Sequence, residues 1–143
     1  MKCVLIRSKN IKLKSCEKKL EFPEGLIAVV GIEKEDGESQ VEKIVKTIKK
    51  TAIFENENGK IKIPPKENTK ILVLPNFTLT GKIKKGKTPD FSNCMNRTES
   101  KVIFESICKK LKIEKFNVFP GFFGELMELE NTIDGPVIYS FEV

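Results

Sequence analysis

The stretch ILVLPNFTLTGKIKKGKTPDF, residues 71–91, joins a strand signal directly to a polar, basic segment. Its first four residues are apolar and Pro75 follows, so we expect a buried strand that ends at this proline. Asn76 and Thr78 come immediately afterwards. Four lysines then stand within six positions: Lys82, Lys84, Lys85 and Lys87. A buried strand that ends in polar groups beside concentrated positive charge is typical of the mouth of a site for an anionic ligand.

Apolar runs on the N-terminal side predict further strands. KCVLI at 2–6 and GLIAVVGI at 25–32 are rich in aliphatic residues and favour buried strands. Between them, residues 11–22 alternate between apolar and charged side chains. This alternation predicts one or two edge strands whose charges face water. ENENGK at 55–60 is typical of a turn before a short strand.

Two segments have the periodicity of amphipathic helices. In the first, at 33–50, Ser39 is the expected N-cap, and Glu42 three residues later completes a capping box. Its apolar stripe consists of Val41, Ile44, Val45 and Ile48. The second covers 97–113 and has lysines in its last turn, where they complement the helix dipole. Its apolar positions are Val102, Ile103, Ile107 and Leu111.

The C-terminal segment predicts strands on either side of Asp134-Gly135-Pro136. In the last strand, alternate residues share one face: Val137, Tyr139, Phe141 and Val143. Two helices among many strands, without strict alternation, predict a mixed α/β fold whose helices cover the sheet. Since no linker or repeat divides the chain, we expect a single domain over 1–143.

The composition excludes several kinds of catalytic site. Histidine is absent, which removes every Ser-His or Cys-His nucleophile and every histidine metal cage. Four cysteines are widely scattered and lack the close pair spacing of a zinc or redox site: Cys3, Cys16, Cys94 and Cys108. We interpret them as small, mostly buried hydrophobic residues. The sequence predicts neither a metal nor a cofactor.

The charge and the hydropathy indicate where the protein works and what it meets. The net charge is +6, from 26 basic and 20 acidic residues, which favours a polyanionic partner. No apolar run approaches the roughly 18 to 20 residues that span a bilayer. Arg7 interrupts the N-terminal apolar stretch too early for a secretory signal. We therefore expect a cytosolic protein without a membrane partner.

Two interpretations stay open for each chemical feature. Asp134-Gly135-Pro136 forms either a simple turn between strands or a cis Gly-Pro peptide that directs two carbonyls into a pocket. Phe77 and Thr78 are either ordinary strand residues or part of an oxyanion site built from a hydroxyl and free backbone N–H groups. The lysines form either a solvated loop or contacts to phosphates.

Four separated motifs resemble the D-aminoacyl-tRNA deacylases in order and spacing. They are IFENENGK at 53–60, NFTLTGKIKKGKTPDFS at 76–92, GFFGELM at 121–127 and DGPV at 134–137. The resemblance extends over essentially the whole chain. It implies a homodimer of the DTD-like fold, with largely antiparallel sheets covered by two main helices. It also implies hydrolysis of the ester that joins a D-amino acid, or glycine, to the 3′ end of tRNA.

The resemblance also implies residue roles. Gly135 and Pro136 match the family's cis dipeptide, which enters the partner subunit's pocket and leaves no room for an L side chain. Arg7 matches an arginine that supports this dipeptide, and Met127 a methionine that lines the pocket.

At the strand end, Phe77 is implied to lie near the terminal adenosine, with its N–H holding the developing oxyanion. Thr78 is implied to be catalytic through its hydroxyl, the group once proposed as nucleophile in the family, and Asn76 is implied to contact the substrate. Cleavage itself is implied to rely on the tRNA's own 2′-OH and on backbone groups. The four lysines are implied to contact tRNA.

Four positions depart from the family pattern. Pro75 and Asn76 stand where Ser and Gln are usual, and Ile133 and Ile138 where Asn and Thr are usual. Two alternatives therefore stay open. One is the related animal-type tRNA deacylase, which has a trans Gly-Pro and removes mischarged L-alanine, and Pro75 favours it. The other is an inactive relative that serves as a nucleic-acid-binding or interaction module.

Overall fold

The computed structural model describes residues 1–83, 86 and 88–143. Five strands form the main sheet in the order β6-β5-β2-β1-β7, and two form a separate hairpin. The strands are β1 (Lys2–Lys14), β2 (Lys19–Gly31), β3 (Phe54–Glu55), β4 (Ile61–Ile63), β5 (Lys70–Pro75), β6 (Asn117–Pro120) and β7 (Glu128–Glu142). β1 is antiparallel to β2 and β7, whereas β5 is parallel to β2 and β6. The predicted mixed α/β fold is confirmed.

The alternating segment at 11–22 forms the long hairpin that joins β1 to β2. Ile11, Leu13 and Phe22 are buried in a cluster with Leu72, while the intervening lysines face outward. Residues 12–14 pair with both β2 and β7, so the prediction of an edge strand was wrong for this half. Residues 19–22 pair with β1 alone, because β5 pairs with β2 only from Leu26 onward, so the prediction is confirmed for the other half. Alternation shows which face of a strand is buried, and central and edge strands share this pattern.

The first helix, α1 (Glu38–Lys50), buries the predicted stripe. Its N-cap is Gly37, whose backbone N–H donates to Oε1 of Gln40 at 3.0 Å. The prediction of Ser39 as N-cap was therefore wrong by two residues. Gln40 supplies the reciprocal acceptor at the third helical position, so the helix begins before the serine.

The second helix, α2 (Arg97–Ile113), has the predicted bounds. Asn96 caps it by accepting a hydrogen bond from the Glu99 N–H at 3.0 Å. Val102 is 63% exposed, contrary to expectation, and the buried residues are Phe104, Ile107, Cys108 and Leu111. This set follows the i, i+3, i+4, i+7 spacing of one helix face, and Val102 falls outside it.

Both helices pack on one face of the main sheet. Their apolar stripes join side chains of β1, β2 and β5 in the main core, which includes Cys3 and Cys108. Burial raises the pKa of both thiols to about 12, so neither is a nucleophile at neutral pH. The interpretation of the cysteines holds for these two, whereas Cys94 is partly exposed and Cys16 is exposed.

The C-terminal segment forms one continuous strand, β7, at the edge of the sheet. Asp134-Gly135-Pro136 is therefore not a turn between two strands. Ile6 pairs with Ile138 and Ser8 with Ile133, so residues 134–137 bulge out opposite Arg7. The Gly135-Pro136 peptide in this bulge is cis. Beyond it, Val137, Tyr139, Phe141 and Val143 all contact the main core, as predicted.

Candidate active site

The end of β5 carries a short 3-10 helix, Phe77–Thr80, with Asn76 as its cap. The Asn76 N–H donates to the Val30 carbonyl at 2.8 Å, which fixes this turn to the end of β2. The Asn76 side-chain oxygen accepts from the N–H of Thr78 at 2.9 Å and from its hydroxyl at 2.5 Å. Asn76 thus orders the turn, a role that its short polar side chain suits.

In this turn, the Thr78 hydroxyl has a hydrogen-bond partner, whereas the Phe77 N–H has none among the described residues. The Thr78 hydroxyl donates its proton to a neutral amide oxygen, which is not a base at neutral pH, so this bond orients the hydroxyl without activating it. The backbone N–H of Phe77 makes no hydrogen bond within the described part of the chain. Phe77 is 61% exposed, and its ring contacts Phe91 edge-on at 5.4 Å between centroids. An N–H without a partner beside an exposed ring is available to a ligand.

A pocket of about 660 Å³ opens at this turn. It brings together four of the predicted site residues: Asn76, Phe77, Thr78 and Met127. Phe123 and Arg97, which the sequence had not indicated, complete its wall. The sequence showed Arg97 only as the first residue of the predicted second helix. Its position beside the end of β5 depends on the tertiary structure. The pocket is mostly apolar with a few polar groups, which suits a small organic ligand.

The loop at 121–127 that carries Met127 is tied to the tip of the β1–β2 hairpin. The Glu125 carboxylate accepts from the Ser15 hydroxyl at 2.6 Å and pairs with the Lys18 ammonium. Lys18 also lies 5.5 Å from the centroid of the Phe122 ring. The Phe122 N–H in turn donates to Sδ of Met127 at 3.3 Å. These contacts hold the pocket wall in place.

We expect the Glu125 carboxyl to titrate at a midpoint below its ordinary pKa of 4.5, first because Lys18 donates to it and second because Ser15 does. The stability that the ionised Glu125 carboxylate gains from Lys18 and Ser15 is therefore fully present above pH 4.5. It is lost as the pH falls through the lowered pKa of the folded state. Carboxyl chemical shifts of Glu125 measured against pH test this. Lys18→Ala should return the midpoint towards 4.5 and Ser15→Ala should do so less; an unchanged midpoint in Lys18→Ala would contradict the assigned cause.

Arg7 organises a second group of residues at the bulge in β7. It is only 7% exposed, and its Nε donates to the Asp134 carbonyl at 3.3 Å and lies 3.0 Å from the Asp134 carboxylate. One terminal nitrogen donates to the Ile53 carbonyl at 3.1 Å and the other pairs with Glu55 at 3.3 Å. The guanidinium therefore fastens the segment before Gly135 to β1 and to the β3 region.

Gly135 has a φ of 118°, a conformation that side chains rarely adopt. A Cβ built on it would lie 2.7 Å from Cγ2 of Val137 and 3.1 Å from a terminal nitrogen of Arg7. The bulge thus requires glycine at this position. Gly135 and Arg7 line a pocket of about 860 Å³, different from the one at Phe77.

The two pockets lie at opposite ends of β5. The pocket at Gly135 includes Lys70, the first residue of that strand, whereas the pocket at Phe77 includes Pro75, its last residue. Within one chain, Gly135 therefore lines no part of the pocket at Phe77.

The predicted basic segment is described only in part. Lys82 is exposed, and its backbone exchanges two hydrogen bonds of 2.9 Å with Asp90, which close the loop between them. Lys84, Lys85 and Lys87 lie outside the described residues. Among the residues that are described, no three potential metal ligands come together. No helix in that part of the chain is long and apolar enough to cross a membrane.

Comparisons with known proteins agree with one another. The family model for D-Tyr-tRNA(Tyr) deacylase matches residues 4–142. The D-aminoacyl-tRNA deacylase of Staphylococcus haemolyticus is 34% identical over 143 residues, covering 99% of this chain and 95% of that protein. The D-aminoacyl-tRNA deacylase of Nautilia profundicola is 36% identical over 148 residues and covers both chains completely.

Two solved structures have the same fold. One, described as a c-Myc DNA unwinding element binding protein, has a TM-score of 0.89 at 26% identity and covers 100% of this chain and 99% of its own. The other, described as a probable eukaryotic D-amino acid tRNA deacylase, has a TM-score of 0.85 and covers 99% and 98%. Because the second is only 16% identical, it shows the fold alone.

Proposed function

Since this chain belongs to the D-Tyr-tRNA(Tyr) deacylase family and hydrolyses the ester of D-aminoacyl-tRNA, we propose that the Phe77 pocket holds the aminoacylated 3′ end during cleavage. The observation that supports this most is the Phe77 N–H, which has no partner in the described part of the chain and lies in a pocket beside an exposed aromatic ring. A backbone donor in an apolar pocket stabilises a developing oxyanion without histidine.

The reaction needs few protein groups. Water attacks the ester carbonyl carbon and gives up a proton, and the carbonyl oxygen becomes an anion that accepts a hydrogen bond from the Phe77 N–H. The ester C–O bond then breaks as the carbonyl re-forms, and the ribose oxygen takes that proton. The tRNA's vicinal 2′-OH assists the proton transfers, because the Thr78 hydroxyl is bound to Asn76 and has no basic partner there. The Phe77 ring packs beside the terminal adenosine.

Selection for D-amino acids is assigned to Gly135 and Pro136 of a second subunit. Main chain placed against the Cα of the bound aminoacyl group leaves no room for a side chain of L configuration. Glycine has no side chain, so its ester is accepted too. This selection operates by exclusion and requires no contact with the D side chain.

A homodimer is proposed because the two halves of the site do not meet in one chain. Gly135 lines the pocket at the start of β5 and no part of the pocket at the end of that strand, so the dipeptide does not reach the Phe77 pocket of its own chain. Ile133 and Ile138, on either side of the bulge, are 45% and 47% exposed on an edge strand. Apolar side chains at an open sheet edge favour cover by another chain.

Deacylation assays with D-Tyr-tRNA, L-Ala-tRNA and L-Tyr-tRNA test the function. We expect cleavage of the D-ester and no cleavage of either L-ester. Cleavage of L-Ala-tRNA would identify the animal-type activity instead. Binding of tRNA without any cleavage would identify an inactive nucleic-acid-binding relative. The enzyme is assigned to the cytoplasm, where aminoacyl-tRNAs are made.

Subunit mixing tests the shared site. Phe77→Ala keeps the backbone N–H but removes the ring that packs beside the adenosine, and Gly135→Ala damages the dipeptide, so each homodimer should have little activity. A heterodimer of the two carries one intact site, because both defects fall in the other. Random re-association of equal amounts should therefore recover about a quarter of the wild-type activity. Recovery no greater than the sum of the separate variants would show that the site is not shared.

Lysine substitution tests the role of the basic segment in tRNA binding. Replacing Lys84, Lys85 and Lys87 with Ala should weaken tRNA binding and lower the slope of log affinity against log salt by roughly 0.7 to 0.9 for each phosphate that is no longer neutralised. Lys43, Lys46 and Lys50 of α1 provide a triple substitution of equal charge on another surface. Equal effects of the two triple variants would remove the assigned role of the segment.

A further inference from the structure

The contacts of Arg97 within the fold use little of its hydrogen-bonding capacity. It is exposed at the start of α2, where the helix dipole does not stabilise a cation. Among the described residues, no carboxylate lies within ion-pair distance of it, whereas Arg7 has two such partners. Within the same part of the chain, one of its five N–H donors makes a hydrogen bond, from Nη2 to the Gly124 carbonyl at 3.2 Å. The guanidinium thus keeps most of its capacity for an external acceptor.

The position of Arg97 directs this capacity into the Phe77 pocket. Its side chain lines the pocket together with Phe77 and Thr78. It also lies directly on the opposite wall, because a Cβ built on Gly124 would be 2.2 Å from Nη2. Gly124 has a φ of 76°, so glycine is favoured there on backbone grounds as well. Because Gly124 has no side chain, the Arg97 guanidinium has space to lie against this wall of the pocket.

The choice of arginine is informative in this chain. Of its 26 basic residues only two are arginines, and each lies on one of the two pockets of the site. Lysine supplies the same charge, but arginine alone presents a planar pair of donors that fits two oxygens of one phosphate. The residue type therefore suits an acceptor that carries two oxygens on one group, and in a nucleic-acid substrate that group is a phosphate.

We propose that Arg97 binds the phosphate that links the ester-bearing terminal nucleotide to the rest of the tRNA. This inference depends on the proposed function, which places the ester at the Phe77 N–H and the adenosine beside the Phe77 ring. The 5′ phosphate of that nucleotide is the anionic group nearest to the pocket. Arg97 then fixes the nucleotide from the phosphate side and contributes to substrate binding rather than to bond cleavage.

The test measures binding of adenosine 5′-monophosphate and of adenosine by chemical-shift titration, beside D-Tyr-tRNA hydrolysis. The wild-type enzyme should bind the monophosphate about tenfold more tightly than the nucleoside. Arg97→Gln should bind both with the affinity that the wild type has for adenosine. In hydrolysis, Arg97→Gln should raise KM about tenfold and leave kcat nearly unchanged. Lys109→Gln, which removes a charge elsewhere on α2, should change neither the affinity for the two ligands nor KM.

Three outcomes would overturn the inference while the proposed function stands. In the first, the wild type binds both ligands equally or neither of them, yet hydrolyses D-Tyr-tRNA. In the second, Arg97→Gln retains the preference for the monophosphate. In the third, Arg97→Gln weakens both ligands to the same extent, which would assign Arg97 to support of the Gly124 loop. Absence of D-Tyr-tRNA hydrolysis by the wild type would instead overturn the proposed function.

Discussion

Gly135→Ala is expected to reduce D-Tyr-tRNA hydrolysis by at least about 100-fold, the cost of displacing a positioning element by roughly 1 Å. The added methyl group would lie 2.7 Å from Val137 Cγ2 and 3.0 Å from its backbone nitrogen. Neither alanine nor its neighbours tolerate these contacts at a φ of 118°, so the bulge must change shape. In the proposed homodimer, the dipeptide would then no longer fit the partner's pocket.

Gly59→Ala is the matched control for this change. Gly59 has a φ of 69° in the turn between β3 and β4, and no atom lies within 4 Å of a Cβ built there. Both variants therefore have a strained backbone, at a cost of order 1 to 3 kcal/mol, but only Gly135→Ala has the clash at the bulge. Thermal melting shows that each variant is folded. Full activity in a folded Gly135→Ala enzyme would remove the dipeptide from the mechanism.

Arg7→Ala is expected to lower the free energy of unfolding by about 3 kcal/mol or more, the largest effect on stability among these variants. The reason is that the partly buried groups that Arg7 contacts lose their hydrogen-bond donor. The Ile53 carbonyl loses the Nη1 hydrogen bond, and the Asp134 carboxylate and carbonyl lose Nε. For a chain of this length, such a decrease corresponds to roughly 10 °C in melting temperature. Hydrolysis should fall as well, since the segment before Gly135 is released from β1.

Lys9→Ala removes another cation from the same carboxylate and serves as the control. Lys9 lies 3.1 Å from Asp134, but about half of its side chain is exposed, so this pair contributes little to stability. Arg7→Lys tests the geometry of the contact, because lysine keeps the charge and loses the fork of donors. Equal melting temperatures for Arg7→Ala and Lys9→Ala would show that burial of the guanidinium adds no stability.

The sequence predicted the parts of the fold that depend on local periodicity. The stripe of α1 and the bounds of α2 follow from the 3.6-residue repeat, and the buried face beyond Pro136 follows from the two-residue repeat of a strand. The N-cap of α1 was misplaced, since Gly37 and Ser39 are both common N-cap residues a few positions before Val41, and the Gln40 contact decides between them. The exposure of Val102 was not predicted, because the next residue, Ile103, packs against the core and helical periodicity separates neighbouring apolar positions poorly.

The lateral order of the strands depends on pairing between distant segments. The alternation at 11–22 is compatible with a central or an edge strand, and only pairing with both β2 and β7 places β1 inside the sheet. Likewise, the continuous strand through Gly135 results from the bulge opposite Arg7. No local pattern records such partners, because the hydrogen bonds join residues more than a hundred positions apart.

For the site, the sequence by itself determined which chemistry is excluded, because the chain has no histidine, and its motifs predicted Phe77, Thr78 and Gly135 as site residues. The tertiary structure decided which of these groups meet. It brought Asn76, Phe77, Thr78 and Met127 into one pocket and added Arg97 to its wall. It also placed Gly135 in a different pocket, at the other end of β5. The physical reason is that residue type fixes what a group can do, whereas strand order and register fix the distances between groups.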